Sequence, residues 1–379
     1  MTQYDFAKFQ KDLEYLVNID SNAENVAGID KVADFLAKDF TSPMWHVGRL
    51  DVGEGIAKPL YITNTLEKDY DVAICCHMDT VFPDGTAAAR PYSVKDNVAY
   101  GPGVCDMKAS CLQAGYVLKA LEANGTLKDL KIMLAYNPEE ERGSAHTKGW
   151  LMELGAHSKY CLIMEAARPK GERVLERKGL IRYQVNLKGK AAHAGNNHDQ
   201  GRSAVNEMAY WTLKLAALTD YSTGFTSNVG LVKGGIVYNS VAEDAFMDID
   251  FRITNISQME IIKKAFAELE EHAAKAEIAT KVTQIAAQAP MASTPATAGL
   301  VEVIDNASKA YGMSTVWLKV GGGSDGNYTA AAGSTTVDGL GPIGGRFHTD
   351  AEYLELASIE PSLHVLEKIL LDLQAKLHK

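Results

Sequence analysis

The chain has 379 residues, more than a single hydrophobic core usually supports, so we expect two domains. Its composition, 46% hydrophobic and 23% charged, is that of an ordinary soluble globular protein, and its net charge of −10 argues against general nucleic-acid binding, which needs cationic contacts to phosphate. No apolar run reaches the roughly eighteen residues of a membrane span, and the N-terminus lacks a signal-peptide pattern, so we expect a cytoplasmic protein without membrane or nucleic-acid partners.

The first half of the chain alternates between helical and extended patterns. The predicted elements are helices at 24–40 and 107–123 and short apolar strands at 70–76, 130–136 and 160–164. This alternation is typical of an α/β domain with a mostly parallel sheet and helices on both faces. Ligands of such sheets bind beyond the carboxyl ends of the strands, where His77, the glutamates 139–141 and Glu165 fall.

From Lys178 onward the pattern changes to that of a small α+β sandwich. Its predicted order is βαββαβ, with strands at 180–187, 226–237, 245–253 and 279–285 and helices at 203–218 and 257–275. This order predicts a four-stranded antiparallel sheet. A helix at 298–311 then resumes the first pattern. We therefore expect a discontinuous first domain, 1–177 and 291–379, with 178–290 inserted into it.

Several side chains suited to binding metal lie next to apparent strand ends. His77 is followed two residues later by Asp79, and a metal-binding histidine needs an acceptor such as a carboxylate for its second ring nitrogen. The other candidates are Asp106, the glutamates 139–141, Glu165 and His348. Together they predict a two-metal hydrolase, with the metals about 3.5–4 Å apart. Histidine and carboxylate ligands without thiolate suit zinc, with cobalt or manganese as substitutes.

Two patterns that often mark cofactor or metal sites carry little weight here. The five cysteines have no paired spacing, so we expect small buried residues in a reducing compartment rather than a zinc–cysteine site. Residues 339–344 satisfy G-x-G-x-x-G, but they contain proline and lead into Arg346 and His348 rather than into a helix. A dinucleotide site is therefore not expected there.

The motifs, taken in order, resemble the co-catalytic di-zinc metallopeptidases that include glutamate carboxypeptidase, acetylornithine deacetylase and succinyl-diaminopimelate desuccinylase. The resemblance runs essentially end to end and is greatest to the glutamate carboxypeptidase branch. The motifs that carry it are His77-Met-Asp79-Thr-Val-Phe-Pro, Gly101-Pro-Gly-Val-Cys-Asp106-Met-Lys, Asn137-Pro-Glu-Glu-Glu-Arg-Gly-Ser144, Met164-Glu165, Gly189-Lys-Ala-Ala-His193-Ala-Gly and Phe347-His348-Thr-Asp. It implies a zinc-exopeptidase-like catalytic domain for the first pattern.

The resemblance implies five ligands for two zinc ions. Asp106 bridges the ions, His77 and Glu165 complete one site, and Glu141 and His348 complete the other. A hydroxide held between the metals attacks the amide. A glutamate at position 165 resembles the carboxypeptidase and deacylase members rather than the aminopeptidases and tripeptidases.

The resemblance also assigns the residues around the metals. Glu140 is the general base and Asp79 the partner of His77. The register of the acidic triplet comes from the following Arg142-Gly143-Ser144, which leaves Glu139 outside the site. A slip of one residue within the triplet is the alternative.

The inserted domain supplies the substrate side in this resemblance. His193 stabilises the tetrahedral oxyanion, and in dimeric relatives it reaches the active site of the opposite subunit. The domain has the size of a dimerisation lid, so we expect a homodimer.

A free carboxylate on the substrate needs its own binding group, and arginine suits it through its planar fork. Arg252 and Asn239 resemble the carboxylate-binding pair of the family. Gly322 and Gly323, in the glycine-rich loop 321–326, resemble the loop whose amides line the same pocket.

These residues predict hydrolysis of an amide next to a free carboxylate, releasing a C-terminal amino acid, with glutamate favoured. The substrate would be a small peptide or an N-acyl amino acid. An N-acyl amino-acid deacylase or a dipeptidase uses the same machinery and stays open. An inactive metal-binding scaffold is the alternative from another class, and retention of every ligand, of Glu140 and of His193 argues against it.

Overall fold

The computed structural model describes residues 2–378 and divides into two compact units. The first comprises Met1–Glu176, Ser293–Val320 and Ser324–Lys379, and the second comprises Arg177–Ala292 and Gly321–Gly323. The expected domain boundaries lie one or two residues from these. The sequence did not indicate that Gly321–Gly323 belongs with the second unit.

The five predicted helices are found with ends no more than three residues from the expected ones, and the structure adds others that were not predicted. The helices are α1 (Phe6–Val17), α2 (Val26–Ala37), α3 (Thr86–Ala89), α4 (Ala109–Ala123), α5 (Lys148–Ala156), α6 (Ala204–Ala216), α7 (Met259–Lys275), α8 (Thr297–Ala310), α9 (Gly326–Ala331) and α10 (Ile359–Leu377). Helix α2 begins after Asn25, because the Asn25 side chain accepts a hydrogen bond from the Gly28 amide and caps the helix. Helix α4 begins after an irregular turn, Val104–Lys108, in which Asp106 and Met107 leave helical backbone angles.

The strands are short in the first unit and long in the second. They are β1 (His46–Arg49), β2 (Leu60–Thr63), β3 (Tyr70–His77), β4 (Ser93–Lys95), β5 (Val98–Tyr100), β6 (Ile132–Asn137), β7 (Ser158–Ile163), β8 (Arg173–Arg177), β9 (Gly179–Lys188), β10 (Thr226–Gly234), β11 (Asp244–Ile253), β12 (Ala279–Gln288), β13 (Trp317–Val320), β14 (Thr335–Val337), β15 (Gly344–Gly345) and β16 (Tyr353–Glu355).

The central sheet of the first unit has the order β1-β2-β6-β3-β7-β14. Strands β6, β3, β7 and β14 run parallel to one another, whereas β1 and β2 are antiparallel to their neighbours. The predicted α/β class with a mostly parallel sheet is confirmed, and the antiparallel edge is an addition to it. A small sheet, β15-β16-β5-β4, lies in the same unit.

Strand β3 is the centre of this sheet and is buried on both faces. Ile74 packs in the main core with Leu118 of α4 and Leu366 of α10, while Cys75 packs in a second cluster with Leu154 of α5. Burial on both faces explains why this strand reads as a continuous apolar run in the sequence. It also places His77, the last residue of β3, at the buried carboxyl edge of the sheet.

The second unit has the predicted βαββαβ order. Its antiparallel sheet, β10-β11-β9-β12, packs against α6 and α7, and the rings of Phe251 and Phe266 meet in that core at 6.0 Å. Along β11 buried residues alternate with more exposed ones, as expected for a sheet covered on one face.

The cysteines and the helices bear on two expectations drawn from the sequence. All five cysteines are buried and have free thiols. Within residues 2–378, no helix combines the length and the apolar character that crossing a membrane requires.

Candidate active site

Three adjacent parallel strands bring the predicted metal-binding residues to one edge of the sheet. His77 ends β3, the turn Glu140–Arg142 follows β6 closely, and Glu165 comes two residues after β7. The strand order β6-β3-β7 puts His77 between the other two. Asp106 joins them from the irregular turn that precedes α4.

His77 is fixed through both ring nitrogens and is only 1% exposed. Its Nδ1 lies 3.0 Å from the Asp79 carbonyl oxygen and 3.4 Å from the Asp79 carboxylate. Its Nε2 lies 3.2 Å from Asp106 Oδ1 and 3.6 Å from Glu165 Oε1. The ring therefore presents Nε2 to two carboxylates while Nδ1 has an acceptor of its own, as a metal-binding histidine requires.

His348 approaches the same cluster from a more exposed position. Its Nε2 lies 3.3 Å from Asp106 Oδ2 and 3.1 Å from Glu141 Oε2, although its side chain is 55% exposed. Its backbone has φ 61°, the left-handed region that non-glycine residues seldom occupy. Asp106 thus faces one histidine with each of its carboxylate oxygens.

The donor set fits a pair of divalent cations. Ligand atoms of His77, Asp106 and Glu141 lie within 4.8 Å of one another, and so do those of His77, Glu140 and Glu165. Within the described residues, Glu141 Oε1 is buried without a hydrogen-bond partner. A buried carboxylate oxygen without a donor is costly, and a cation would satisfy it. Oxygen and imidazole donors without thiolate suit zinc, cobalt or manganese.

Burial and the closeness of several acids shift the pKa values of residues in the cluster. Burial and the nearby Glu165 raise the pKa of Glu140 well above its ordinary value. Hydrogen bonds to Asp106 and Glu141 raise the pKa of His348 to about 10. Burial opposes ionisation of Asp106, yet its hydrogen bonds with His348 and His77 lower its pKa. A bound cation would reverse this balance, because it favours the deprotonated form of every ligand.

The carboxylate of Asp79 has a role that the sequence did not indicate. Its two oxygens accept the backbone amides of Glu140 and Glu141, each at 3.0 Å. Asp79 is fully buried. It therefore links the strand end that carries His77 to the turn that carries the other two acids.

The Glu139 side chain does not join the cluster; instead its carboxylate accepts hydrogen bonds from backbone amides. Its carboxylate accepts the amides of His146 at 2.6 Å and Thr147 at 2.8 Å, just before α5. It also contacts His146 Nδ1 and Thr147 Oγ1. Of the three consecutive glutamates, the structure brings Glu140 and Glu141 to the cluster.

Sequence reasoning missed two further buried acids beside the cluster. Asp325 accepts hydrogen bonds from Asn137 Nδ2 and Ser144 Oγ, both at 2.7 Å, which flank the glutamate turn. Glu352 accepts three backbone amides of the turn that carries Asp106. Asp325 lies in the glycine-rich loop 321–326, which was considered for its amides and not for its acid, and Glu352 belongs to none of the motifs, so the sequence did not indicate either role.

In the second unit, the structure brings His193 and Asn239 together. His193 forms an isolated bridge with Ser240, and the Ala194 amide donates to the Asn239 carbonyl at 3.0 Å. The exposed His193 ring accepts the amides of Gly195 and Asn196 through Nδ1, at 3.1 and 3.2 Å.

Arg252 lies elsewhere in the same unit. Its Nε is paired with Asp250 at 2.7 Å and its Nη1 donates to the Gly321 carbonyl at 3.2 Å. Arg252 pairs with Thr226 at one end of the β10–β11 ladder, whereas Asn239 follows the other end, where Gly234 pairs with Ala245. Seven residues of strand separate these ends by about 23 Å. Within one chain, therefore, Arg252 and Asn239 do not meet at one carboxylate.

The carbonyls of the predicted substrate-binding glycines are also engaged. Arg177 Nη1 lies 3.2 Å from the carbonyl oxygens of both Gly322 and Gly323. Both glycines stay in the second unit with Arg177 and Arg252.

The glycines at 339–344 serve close packing. A Cβ at Gly341 would lie 2.9 Å from the Glu165 carbonyl oxygen and closer still to Ser110. A Cβ at Gly344 would collide with Tyr353 and Cys105. Close packing near Glu165 and Cys105 therefore accounts for the glycines at positions 341 and 344.

Comparisons with known proteins agree with the resemblance drawn from the motifs. The model of peptidase family M20/M25/M40 matches residues 73–372. The chain is 28% identical to carboxypeptidase G2 of Pseudomonas sp. (strain RS-16) over 376 residues, 96% of this chain and 89% of the relative. It is 26% identical to succinyl-diaminopimelate desuccinylase of Delftia acidovorans over 300 residues, 74% of each chain.

Solved structures share the fold. Aminopeptidase PepT from Bacillus cereus superimposes with a TM-score of 0.82 at 23% identity, covering 97% of this chain and 99% of that one. The M20 family metallo-carboxypeptidase Sso-CP2 from Sulfolobus solfataricus gives 0.71 at 17% identity, covering 96% and 98%. The predicted hydrolase class is confirmed. The chain belongs to peptidase family M20/M25/M40, whose members are metal-dependent peptidases and amidohydrolases.

Proposed function

We propose that the protein is a di-zinc exopeptidase that hydrolyses the amide next to a free carboxylate and releases a C-terminal amino acid, with glutamate favoured. The observation that carries this proposal is the convergence of two histidines and four carboxylates at one edge of the central sheet. The similarity to carboxypeptidase G2 over 96% of the chain supports the carboxypeptidase direction. The resemblance of the motifs to the glutamate carboxypeptidase branch favours glutamate.

Five residues would hold the metals. Asp106 faces both histidines and would contribute to both metal sites, one completed by His77 and Glu165 and the other by Glu141 and His348. When bound, the ions would act as Lewis acids and would lower the pKa of a bound water molecule toward neutrality. Cobalt or manganese could replace zinc with this donor set.

Glu140 is the proposed general base. It lies with His77 and Glu165 at the strand ends, and Asp79 holds its backbone amide. Its carboxylate would take a proton from the attacking water and deliver it to the leaving amine nitrogen. A half-buried carboxyl with a raised pKa next to other acids suits a group that must both accept and donate a proton.

His193 is the proposed oxyanion donor. Because Nδ1 accepts two backbone amides, the neutral ring carries its proton on Nε2. The side chain is exposed, so this N–H is available to a group outside its own loop. A donor placed where negative charge develops stabilises the transition state more than the substrate.

We propose that two copies of the chain complete the substrate site. The ends of the β10–β11 ladder, with Arg252 at one and Asn239 beyond the other, are about 23 Å apart, so a carboxylate bound by Arg252 would meet His193 and Asn239 only from a second chain. Edge strand β10 and the loop after it also expose apolar side chains: Leu231, Val232, Ile236, Val237 and Tyr238. Apolar groups on a sheet edge favour association with another copy.

A cytoplasmic location is part of the proposal. The five cysteines are free thiols, as is usual in a reducing compartment.

A deacylase acting on N-acyl amino acids is the second candidate. It is favoured by the similarity to the desuccinylase and by 25% identity to N-acetyl-L-citrulline deacetylase of Xanthomonas campestris over 63% of this chain. A dipeptidase would need the same residues. An inactive scaffold would not need Glu140 at the cluster.

One assay separates these candidates. The zinc-loaded protein is given peptides ending in glutamate, the same peptides ending in alanine, and N-acetyl and N-succinyl amino acids, with Glu140→Gln as the matched inactive control. The proposal expects the highest kcat/KM for glutamate-ended peptides. Faster turnover of the acyl compounds would identify a deacylase, and no turnover by a protein that binds two zinc ions would identify a scaffold.

A further inference from the structure

Glu352 is a fully buried acid whose carboxylate accepts hydrogen bonds from one short stretch of backbone. Its Oε2 accepts the Gly103 amide at 3.0 Å. Its Oε1 accepts the amides of Cys105 at 2.9 Å and Asp106 at 3.0 Å. Three backbone hydrogen bonds from one turn to one carboxylate make a geometrically restrictive contact.

The sheet β15-β16-β5-β4 explains how an acid so distant in sequence reaches this turn. Tyr353 of β16 pairs with Tyr100 of β5, so Glu352 and Gly101 lie side by side where the two strands end. The turn after β5 then folds over the Glu352 side chain. Gly103 has φ 70°, a conformation that turns its amide toward the carboxylate and that a Cβ would obstruct through Thr80.

The same short segment also carries His348. The Glu352 amide donates to the Thr349 carbonyl at 3.1 Å, which closes a turn between the histidine and the acid. Asp106 and His348 meet at 3.3 Å between Oδ2 and Nε2. Glu352 thus joins, within a few residues, two segments that are separated by more than 200 positions in the chain.

We infer that Glu352 is a positioning residue that holds the Asp106 turn and the His348 segment in the arrangement that binds metal. The inference rests on the proposed ligand roles of Asp106 and His348. It assigns Glu352 no contact with substrate or reacting atoms. Buried Lys108, whose Nζ donates to the carbonyls of Ile19 and Pro102, holds the far side of the same turn.

The test is the zinc affinity of Glu352→Gln, measured by competition with a chromogenic chelator. Glutamine keeps the size and one acceptor oxygen but sets an amide N–H against the Gly103 amide. Loss of a residue that orients a metal ligand typically costs 10–100-fold in affinity. We expect a rise of that size in Kd and an altered visible absorption spectrum in the Co²⁺ form. Glu352→Asp, which keeps the charge, should recover part of the affinity.

Glu207→Gln is the matched control. Glu207 is a buried acid of the second unit whose Oε1 accepts from Trp211 Nε1 and His272 Nδ1. This variant should lose thermal stability without a change in Kd or in the Co²⁺ spectrum. Equal Kd for wild type and a folded Glu352→Gln would overturn the inference and leave the proposed function intact. A wild-type protein that binds no metal would overturn both.

If Glu352→Gln does not fold, amide hydrogen exchange of the metal-free wild type decides. The amides of Gly103, Cys105 and Asp106 should be protected as strongly as those of β5. Fast exchange at these three amides would overturn the inference.

Discussion

The acidic cluster of the first unit and the His193 region of the second differ in how their side chains are held. His77 and Asp79 are almost entirely buried, and each has at least two polar contacts that orient it. His193 is exposed, and its ring accepts two amides of its own loop. The first region is preorganised by the fold of one chain.

The difference in burial suits the different proposed roles of the two regions. A metal-binding cluster must present several charged groups in fixed positions, so buried acids such as Asp79 and Glu352 hold its backbone. A group that meets a substrate from outside its own loop must stay accessible. In the function proposed above, the second region therefore acts together with a partner, either the substrate or a second copy of the chain.

The largest expected effect comes from removing the general base. Glu140→Gln should lower kcat by about 10²–10⁴-fold, because general-base catalysis contributes that much, while two zinc ions remain bound. Steady-state kinetics and metal analysis of the same sample provide the measurement. Near-normal activity in this variant would show that the base lies elsewhere in the triplet.

Removing the exposed donor should come next. His193→Ala should lower kcat by about 10²–10³-fold, the usual cost of one oxyanion donor, without loss of metal. If a second copy supplies this group, mixing His193→Ala with Glu140→Gln should restore part of the activity in heterodimers. Absence of recovery, with subunit exchange demonstrated by differently tagged chains, would place His193 in its own active site.

Asp79→Asn should have a smaller effect, a loss of zinc affinity or of kcat that involves ligands of both proposed metal sites. Its amide nitrogen would face a backbone N–H of the glutamate turn and repel it, so the turn and His77 both lose orientation. Affinity for zinc or kcat should fall by about 10–100-fold. Calorimetric zinc titration would measure the affinity, and an unchanged titration with unchanged kcat would argue against this linking role.

The smallest effect on activity is expected at Glu139, although the stability effect is measurable. Glu139→Gln should keep both metals and kcat but lose about 1–3 kcal/mol of unfolding free energy, since buried amide donors lose their charged acceptor. Burial raises the pKa of Glu139, but hydrogen bonds from His146 and Thr147 outweigh this and lower it. Its stabilisation is therefore present above the unfolded pKa of about 4.3 and is lost as the pH falls through the lower folded value.

The pH dependence of unfolding tests the Glu139 prediction. Denaturant unfolding of wild type and Glu139→Gln should differ most at neutral pH, and the difference should shrink as the solution is acidified below about pH 4.3. A loss of bound zinc in Glu139→Gln would instead indicate that the triplet is shifted by one residue.

Much of the fold followed from the sequence, because hydrophobic periodicity reports burial directly. Strand β3 reads as an apolar run since both of its faces are covered, and β11 alternates since one face is. The antiparallel strands β1 and β2 escaped prediction because four-residue segments contain too little periodicity. The start of α4 was placed two residues too early, since nothing in the sequence shows that Met107 departs from helical backbone angles.

The sequence by itself determined which residue types could serve as ligands and that they would gather at one sheet edge, because parallel strands end together and His77, Glu141 and Glu165 follow such strands. Only the tertiary structure decided which acids face the cluster and which hold the backbone. Glu139, Asp325 and Glu352 are carboxylates like the predicted ligands, and their use depends on amides and hydroxyls brought near by folding. The separation of Arg252 from Asn239 was likewise set by strand register, which no local pattern encodes.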